Sequence, residues 1–190
     1  MVTALREEMT ARVRRVAAVV RSVVPLDGHP VTVELGSGTG MLARCLHDVL
    51  GPTTLLDASP AMVEVASKAL ASEGLGDWSA AVADLSEGIP GGPYELALAQ
   101  MFLHHVEDVP ALLRALRRAM TPGGVGGIAD LDHDAAKRYH ATAVDFHGHH
   151  GFCRGELRGW LEKAGYRDIC FHDAGVVGKE VDGERQDFPM

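Results

Sequence analysis

Val31-Thr-Val-Glu-Leu-Gly-Ser-Gly-Thr-Gly40 decides the fold of this 190-residue chain. Its first half is a short apolar run and its second a glycine turn. Helical periodicity follows over 41–50, so the string reads strand, tight turn, helix. The same alternation continues outward. Apolar runs at 31–35, 53–56, 79–83, 95–99 and 125–129 are interleaved with helical patterns at 41–50, 60–73, 109–120 and 155–164. Strands that are apolar throughout are buried on both faces, which predicts a parallel sheet with helices on either side. The fold class is therefore α/β, doubly wound and mostly parallel. No fixed-period repeat or linker divides residues 1–190, so a single domain is expected.

Upstream, Leu5, Met9, Val13, Val16, Val20 and Val24 recur at steps of three and four among Arg12, Arg14, Arg15 and Arg21. Residues 1–24 thus form an amphipathic helix, ended by Pro25, with its arginines on a solvated outer face. Net charge is −8, which disfavours nucleic acid or an anionic membrane as the main partner. Cys45, Cys153 and Cys170 are odd in number and lack the CxxC spacing, so neither a disulfide framework nor a thiolate zinc site is indicated. No apolar run is long enough to span a bilayer, and the N-terminus lacks a signal-peptide core. A cytoplasmic protein is expected.

Two stretches break the alternation. Residues 87–93 (EGIPGGP) read as a plain loop between strands. Residues 130–153 are long and polar and hold five of the ten histidines, His133, His140, His147, His149 and His150. Such a segment inside a compact domain is a candidate lid, and 131–153 is expected to cover the substrate side.

The glycine turn constrains its ligand. In an open parallel sheet, ligands bind beyond the carboxyl ends of the strands where the strand order reverses. Gly36, Gly38 and Gly40 let backbone approach such a ligand closely. A dinucleotide fingerprint would need Gly or Ala where Met41 stands, and no Gly-Lys-Ser/Thr completes a P-loop. Glu34 suits a cationic group, such as an α-amino group, better than a pyrophosphate. Asp57 ends the second run, 21 positions past Gly36, where a carboxylate can accept both ribose hydroxyls. Asp84 ends the third and can meet an adenine amine. An adenosine carrying an amino acid and no phosphates satisfies all three acids, and S-adenosylmethionine is such a molecule.

With these residues in place, the chain resembles the class I S-adenosylmethionine-dependent methyltransferases, especially the small-molecule type related to ubiquinone-biosynthesis methyltransferases. Glu34-Leu-Gly-Ser-Gly-Thr-Gly40 resembles the first motif of that family. Leu56-Asp-Ala-Ser-Pro-Ala-Met62 is similar to its second-strand motif, and Ala83-Asp84-Leu85 to its third. Gln100-Met-Phe-Leu-His-His-Val-Glu-Asp108 resembles the segment after strand four, and Thr121-Pro-Gly-Gly124 the turn before strand five. The resemblance implies a Rossmann-like fold in which Glu34 and Gly36 hold the methionine end, Asp57 binds the ribose, Met62 flanks the adenine and Asp84 meets its amine. Gln100 and Met101 would line the cavity, and Ser37, Gly38, Gly40, Ala58 and Leu85 are further cofactor-binding candidates. Glycine turn geometry, helix capping by Asp57 and Asp84, and core packing of Met62 are the plainer roles for these residues.

The last strand departs from the pattern. Residues 166–177 are expected as strand six, but no apolar run follows before Met190, which predicts a sheet lacking its full last strand.

On the acceptor side, His104 and His105 follow strand four, and Asp130 and Asp132 follow strand five. Methyl transfer needs a base only where the acceptor loses a proton. His105 and His147 are the candidates, since imidazole titrates near neutral pH; helix-start packing is the plainer role for His104 and His105. His140, His147, His149 and His150 do not share a helix face, so no metal is expected. The expected activity is methylation of a small or medium-sized acceptor. A non-catalytic cofactor-binding relative and an NAD-dependent oxidoreductase are the alternatives. A nucleic-acid methyltransferase would carry Asn/Asp-Pro-Pro-Tyr/Phe where Gln100-Met-Phe-Leu103 stands.

Overall fold

The computed structural model describes residues 2–132, 138–140 and 146–190. Helix α1 (Val2–Val23) precedes β1 (Thr32–Leu35), α2 (Met41–Arg44), β2 (Thr53–Asp57), α3 (Pro60–Ser72), β3 (Ser79–Val82) and β4 (Tyr94–Gln100). A 3₁₀ turn (Leu103–His105), α4 (Val109–Ala119), β5 (Met120–Ala129), α5 (Arg154–Lys163), β6 (Val176–Val181) and β7 (Glu184–Pro189) follow. Five strands form a parallel sheet in the order β3-β2-β1-β4-β5. The order reverses between β1 and β4, where the loops after both strands leave the same edge.

Period-two alternation sorts the strand residues onto two faces. Leu55, Leu96 and Leu98 join Val13, Val16, Val20, Leu42, Leu46, Ala66 and Leu70 in one core cluster. Val33, Leu35, Leu56, Ala97 and Ala99 join Val109, Leu112, Leu113 and Leu116 in another. Helices α1, α2 and α3 therefore cover one face, while α4 and α5 cover the other. Adjacent Leu55 and Leu56 point to opposite layers, and each is at most 1% exposed. Burying a leucine to that degree contributes about 1.5–3 kcal/mol.

The helices follow their local chemistry. Ser59 caps α3 by accepting from the Met62 N–H, with Pro60 in the first turn. Asp108 caps α4 through the Ala111 N–H at 2.8 Å. Helix α2 is shorter than its pattern predicts, because beyond Arg44 the chain tightens into three-residue turns such as Leu46 N–H to Ala43 O. Of the arginines of α1, Arg14, Arg15 and Arg21 are exposed as expected, Arg21 pairing with Asp48, whereas Arg12 is half-buried and its Nε has no hydrogen-bond partner among the described residues. Within its apolar stripe, Met9 is 44% exposed while Val13, Val16, Val20 and Val24 are buried.

The C-terminus corrects the expected strand six. Residues 166–175 form no strand; β6 begins at Val176 and pairs antiparallel with β7 through Val181↔Glu184. The missed signal is Asp182-Gly183, a two-residue hairpin turn with φ of +55° and +80°. Strand β7 escaped notice because only Phe188 and the terminal Met190 bury apolar surface at this end of the chain. The hairpin forms its own two-stranded sheet, and the Asp132 N–H reaches the Pro189 carbonyl at 2.9 Å just past β5. Among the described residues, no helix is long and apolar enough to cross a membrane.

Candidate functional site

The β1 exit is built around two carboxylates. Glu34 is 3% exposed, and one of its oxygens accepts from the Ala43 N–H at 3.0 Å. Burial pushes its carboxyl up to about 8, against the smaller opposing pulls of the Ala43 N–H and Arg44. Gly36, Gly38 and Gly40 all take positive φ, +57°, +54° and +71°. A Cβ on Gly36 would lie 2.1 Å from the Phe102 ring, and one on Gly40 would lie 2.4 Å from Leu55, whereas Gly38 faces open space. Asp57 accepts from the Gly38 N–H at 2.7 Å with one oxygen and from the Ser59 N–H at 2.9 Å with the other. The expected ribose ligand thus also shapes the glycine loop and starts α3.

The remaining cofactor-side candidates flank this loop. Ala58 and Asp84 are exposed, and Met62 is 44% exposed, so Met62 is not a core residue. The Asp84 carboxylate accepts from the Ser86 hydroxyl and N–H, which lower its pKa. Leu85 is buried in the α4-side core. Met101, at the β4 exit, sits at φ +53°, a conformation costing a non-glycine residue about 1–2 kcal/mol. Ser37 Oγ and Gln100 Nε2 are buried without a hydrogen-bond partner. Leaving such groups unpaired costs about 1–3 kcal/mol each. The unpartnered donor Gln100 Nε2, the unpartnered Ser37 Oγ, the open space beside Gly38 and the buried carboxyl of Glu34 together fit a ligand with polar amino-acid and nucleoside ends.

The exits of β4 and β5 gather rings that sequence separation concealed. His104 is 2% exposed, and its Nδ1 lies 2.6 Å from Asp130 Oδ1. His104 is 4.0 Å from His105 and 5.2 Å from His140, between ring centroids. His140 stacks on Phe146 at 3.8 Å, lies 5.5 Å from His150, and has both ring nitrogens buried without a partner. Its pKa falls to about 4, through burial first and then the neighbouring His104, His150, Lys179 and His105. His105 is lowered in the same way, chiefly by burial and then by His104. Both are neutral at pH 7 and able to accept a proton.

The described parts of 131–153 lie at this edge. The His149 N–H donates to the His104 carbonyl at 2.8 Å, and the Phe152 N–H to Leu131 O at 2.9 Å. His147 is exposed and stands apart from the ring group. His133 and Asp145 lie outside the described residues. Among the described residues, no three His, Cys, Asp or Glu side chains are placed to hold a metal ion. A surface cavity of about 290 Å³ lined by Leu70, Leu75, Trp78 and Ala80 sits between α3 and β3 and contains none of the candidate residues.

Comparison with known proteins bears on the family and the fold. A ubiquinone biosynthesis O-methyltransferase from Caulobacter vibrioides is 29% identical over 131 residues, covering 67% of this chain and 50% of that protein. A biotin biosynthesis bifunctional protein from Bordetella avium is 31% identical over 142 residues, covering 72% of this chain and 28% of its own. The chain therefore spans half or less of these relatives. An S-adenosylmethionine-dependent methyltransferase structure from Mesorhizobium loti shares the fold at TM-score 0.67, with 22% identity over 78% of this chain and 79% of that one. The structure of a 4+2 cyclase shares it at TM-score 0.72, with 21% identity over 85% of this chain and 60% of that one. A family model described as a methyltransferase domain matches residues 3–170, and the chain belongs to the class I S-adenosylmethionine-dependent methyltransferases.

Proposed function

We propose that this protein transfers a methyl group from S-adenosylmethionine to a small or medium-sized acceptor, in the cytoplasm and without a metal ion. The observation that carries the reading is the pair of unpartnered buried atoms, Ser37 Oγ within the open glycine turn and Gln100 Nε2 at the end of β4. Glu34, Gly36, Ser37, Gly38 and Gly40 would hold the methionine end, and Asp57 with Ala58 the ribose. Met62, Asp84 and Leu85 would flank the adenine, with Gln100 and Met101 along the cavity.

When bound, the cofactor supplies a methyl group on an already activated sulfonium. The protein is left to position the two reactants in line and to keep water out. Ionised Glu34 would pair with an α-amino group, replacing solvent it lacks. His105, partly exposed and neutral, would accept the proton of an acceptor that must lose one, and His147 is the second candidate, on the covering segment. Segment 131–153 would select the acceptor.

The family match sets aside the nicotinamide oxidoreductase. Because this fold also occurs in a protein described as a cyclase, the second reading is a relative that binds the cofactor without methyl transfer. The separating experiment follows S-adenosylhomocysteine release with phenol, amine and thiol acceptors. Release that depends on acceptor supports methyl transfer; cofactor binding with no release from any acceptor class supports the second reading.

A further inference from the structure

We infer that Asp130 is a positioning residue of the methyl-transfer site, fixing the β4 exit against the β5 exit and, through Phe102, the ceiling of the glycine loop. The inference rests on the cofactor-binding reading given above. The Asp130 side chain is only 4% exposed, and each of its oxygens is used twice. Oδ1 accepts from His104 Nδ1 at 2.6 Å and from the Leu131 N–H at 2.8 Å. Oδ2 accepts from the Phe102 N–H at 3.1 Å and the His104 N–H at 3.3 Å. A carboxylate has about four lone-pair sites, so Asp130 is saturated and has none left to serve as a base.

What those donors have in common is their place. Phe102 and His104 follow Met101, whose φ of +53° turns the chain sharply out of β4. A turn of that kind persists only where its surroundings over-determine it, and three of the donors come from the residues just after it. Phe102 then lays its ring where a Gly36 Cβ would be. The path from Asp130 to the glycine turn therefore has two steps, a hydrogen bond to Phe102 and a ring packed on Gly36. The ionised carboxylate also requires the proton on His104 Nδ1, which fixes the tautomer of the ring that packs against His105.

The test is titration of the full chain with S-adenosylhomocysteine, at a temperature well below unfolding. Asp130→Asn places an amide N–H against one set of donors, so binding should weaken roughly tenfold. Phe102→Leu should weaken it too, and the double variant should lose less than the product of the two single losses, because both act on one path. A merely structural role would lower the melting temperature and leave affinity unchanged; equal affinity of Asp130→Asn and the native chain, or strictly multiplicative losses, overturns the inference. If Asp130→Asn does not fold, the native chain still decides the matter by NMR. The amide protons of Phe102 and His104 and the His104 Nδ1 proton should shift on adding S-adenosylhomocysteine, and their failure to move while other amides do overturns it. A native chain that does not bind S-adenosylhomocysteine at all would instead remove the cofactor reading itself.

Discussion

Asp57 accepts the Gly38 N–H at 2.7 Å, so the acid that ends β2 sets the curve of the loop that follows β1. The two strands are parallel neighbours, with Leu35 opposite Leu56, and the bond crosses just beyond that pair. The side chain proposed to bind the ribose thus also shapes the glycine loop.

Asp57→Ala should weaken S-adenosylhomocysteine binding by about 1–3 kcal/mol, the cost of losing hydrogen bonds to a charged group. It should also lower the melting temperature, since the Gly38 and Ser59 N–H groups lose their acceptor. Calorimetry on the variant checks both effects. A lower melting temperature with native affinity would leave Asp57 with the loop alone.

Gly36→Ala and Gly38→Ala separate packing from backbone conformation. Both glycines have positive φ, which costs alanine about 1–2 kcal/mol. Only at Gly36 does the new methyl strike a ring, adding about 1–3 kcal/mol of overpacking. Thermal unfolding should therefore show the larger loss for Gly36→Ala, at about 2–4 °C per kcal/mol for a chain of this size. Equal losses would mean that Phe102 moves aside freely.

Glu34 should give an inverted pH dependence. Its carboxyl is raised from an ordinary 4.5 to about 8 in the folded chain, so folding favours the protonated form. Its contribution is fully present below about pH 4.5, declines as the unfolded chain ionises, and is lost as pH rises through about 8. Glu34→Gln should flatten that decline in unfolding free energy measured between pH 5 and 8. A cationic ligand group would draw the proton off, so affinity should rise with pH over the same window in the native chain and not in the variant.

Turnover should survive a chelator, and His105→Ala should slow it by about 10²–10⁴-fold for an acceptor that must be deprotonated. His147→Ala should have a smaller effect, because that ring is exposed and stands apart from the others. Activity abolished by chelation and restored by a divalent ion would contradict the metal-free account.

The parallel sheet was legible because its strands are local apolar runs, and the glycine turn because φ > 0 leaves a compositional mark. Leu55 and Leu56 show what was not. Nothing in the pair says which faces α3 and which α4 until the register is known. Strand β7 is mostly polar, so the signal of the hairpin lay in Asp182-Gly183 rather than in hydrophobicity. The histidines were visible as residues and invisible as a group. His104 and Asp130 stand 26 positions apart, and only the adjacency of β4 and β5 brings them together. His140 reaches the same place from a loop with no periodicity at all. The glycine turn and the strand-end acids were readable from short-range motifs, whereas the ring group depends on contacts between strand exits.

The central claim is that the site at the β1–β4 reversal is built for S-adenosylmethionine. Its most direct test is a calorimetric titration of the native chain with S-adenosylmethionine, S-adenosylhomocysteine and NAD. Saturable binding of the first two at one site per chain, weakened by Asp57→Ala, with no binding of NAD, is the predicted result. Tight NAD binding, or no heat with either sulfur compound, would contradict it.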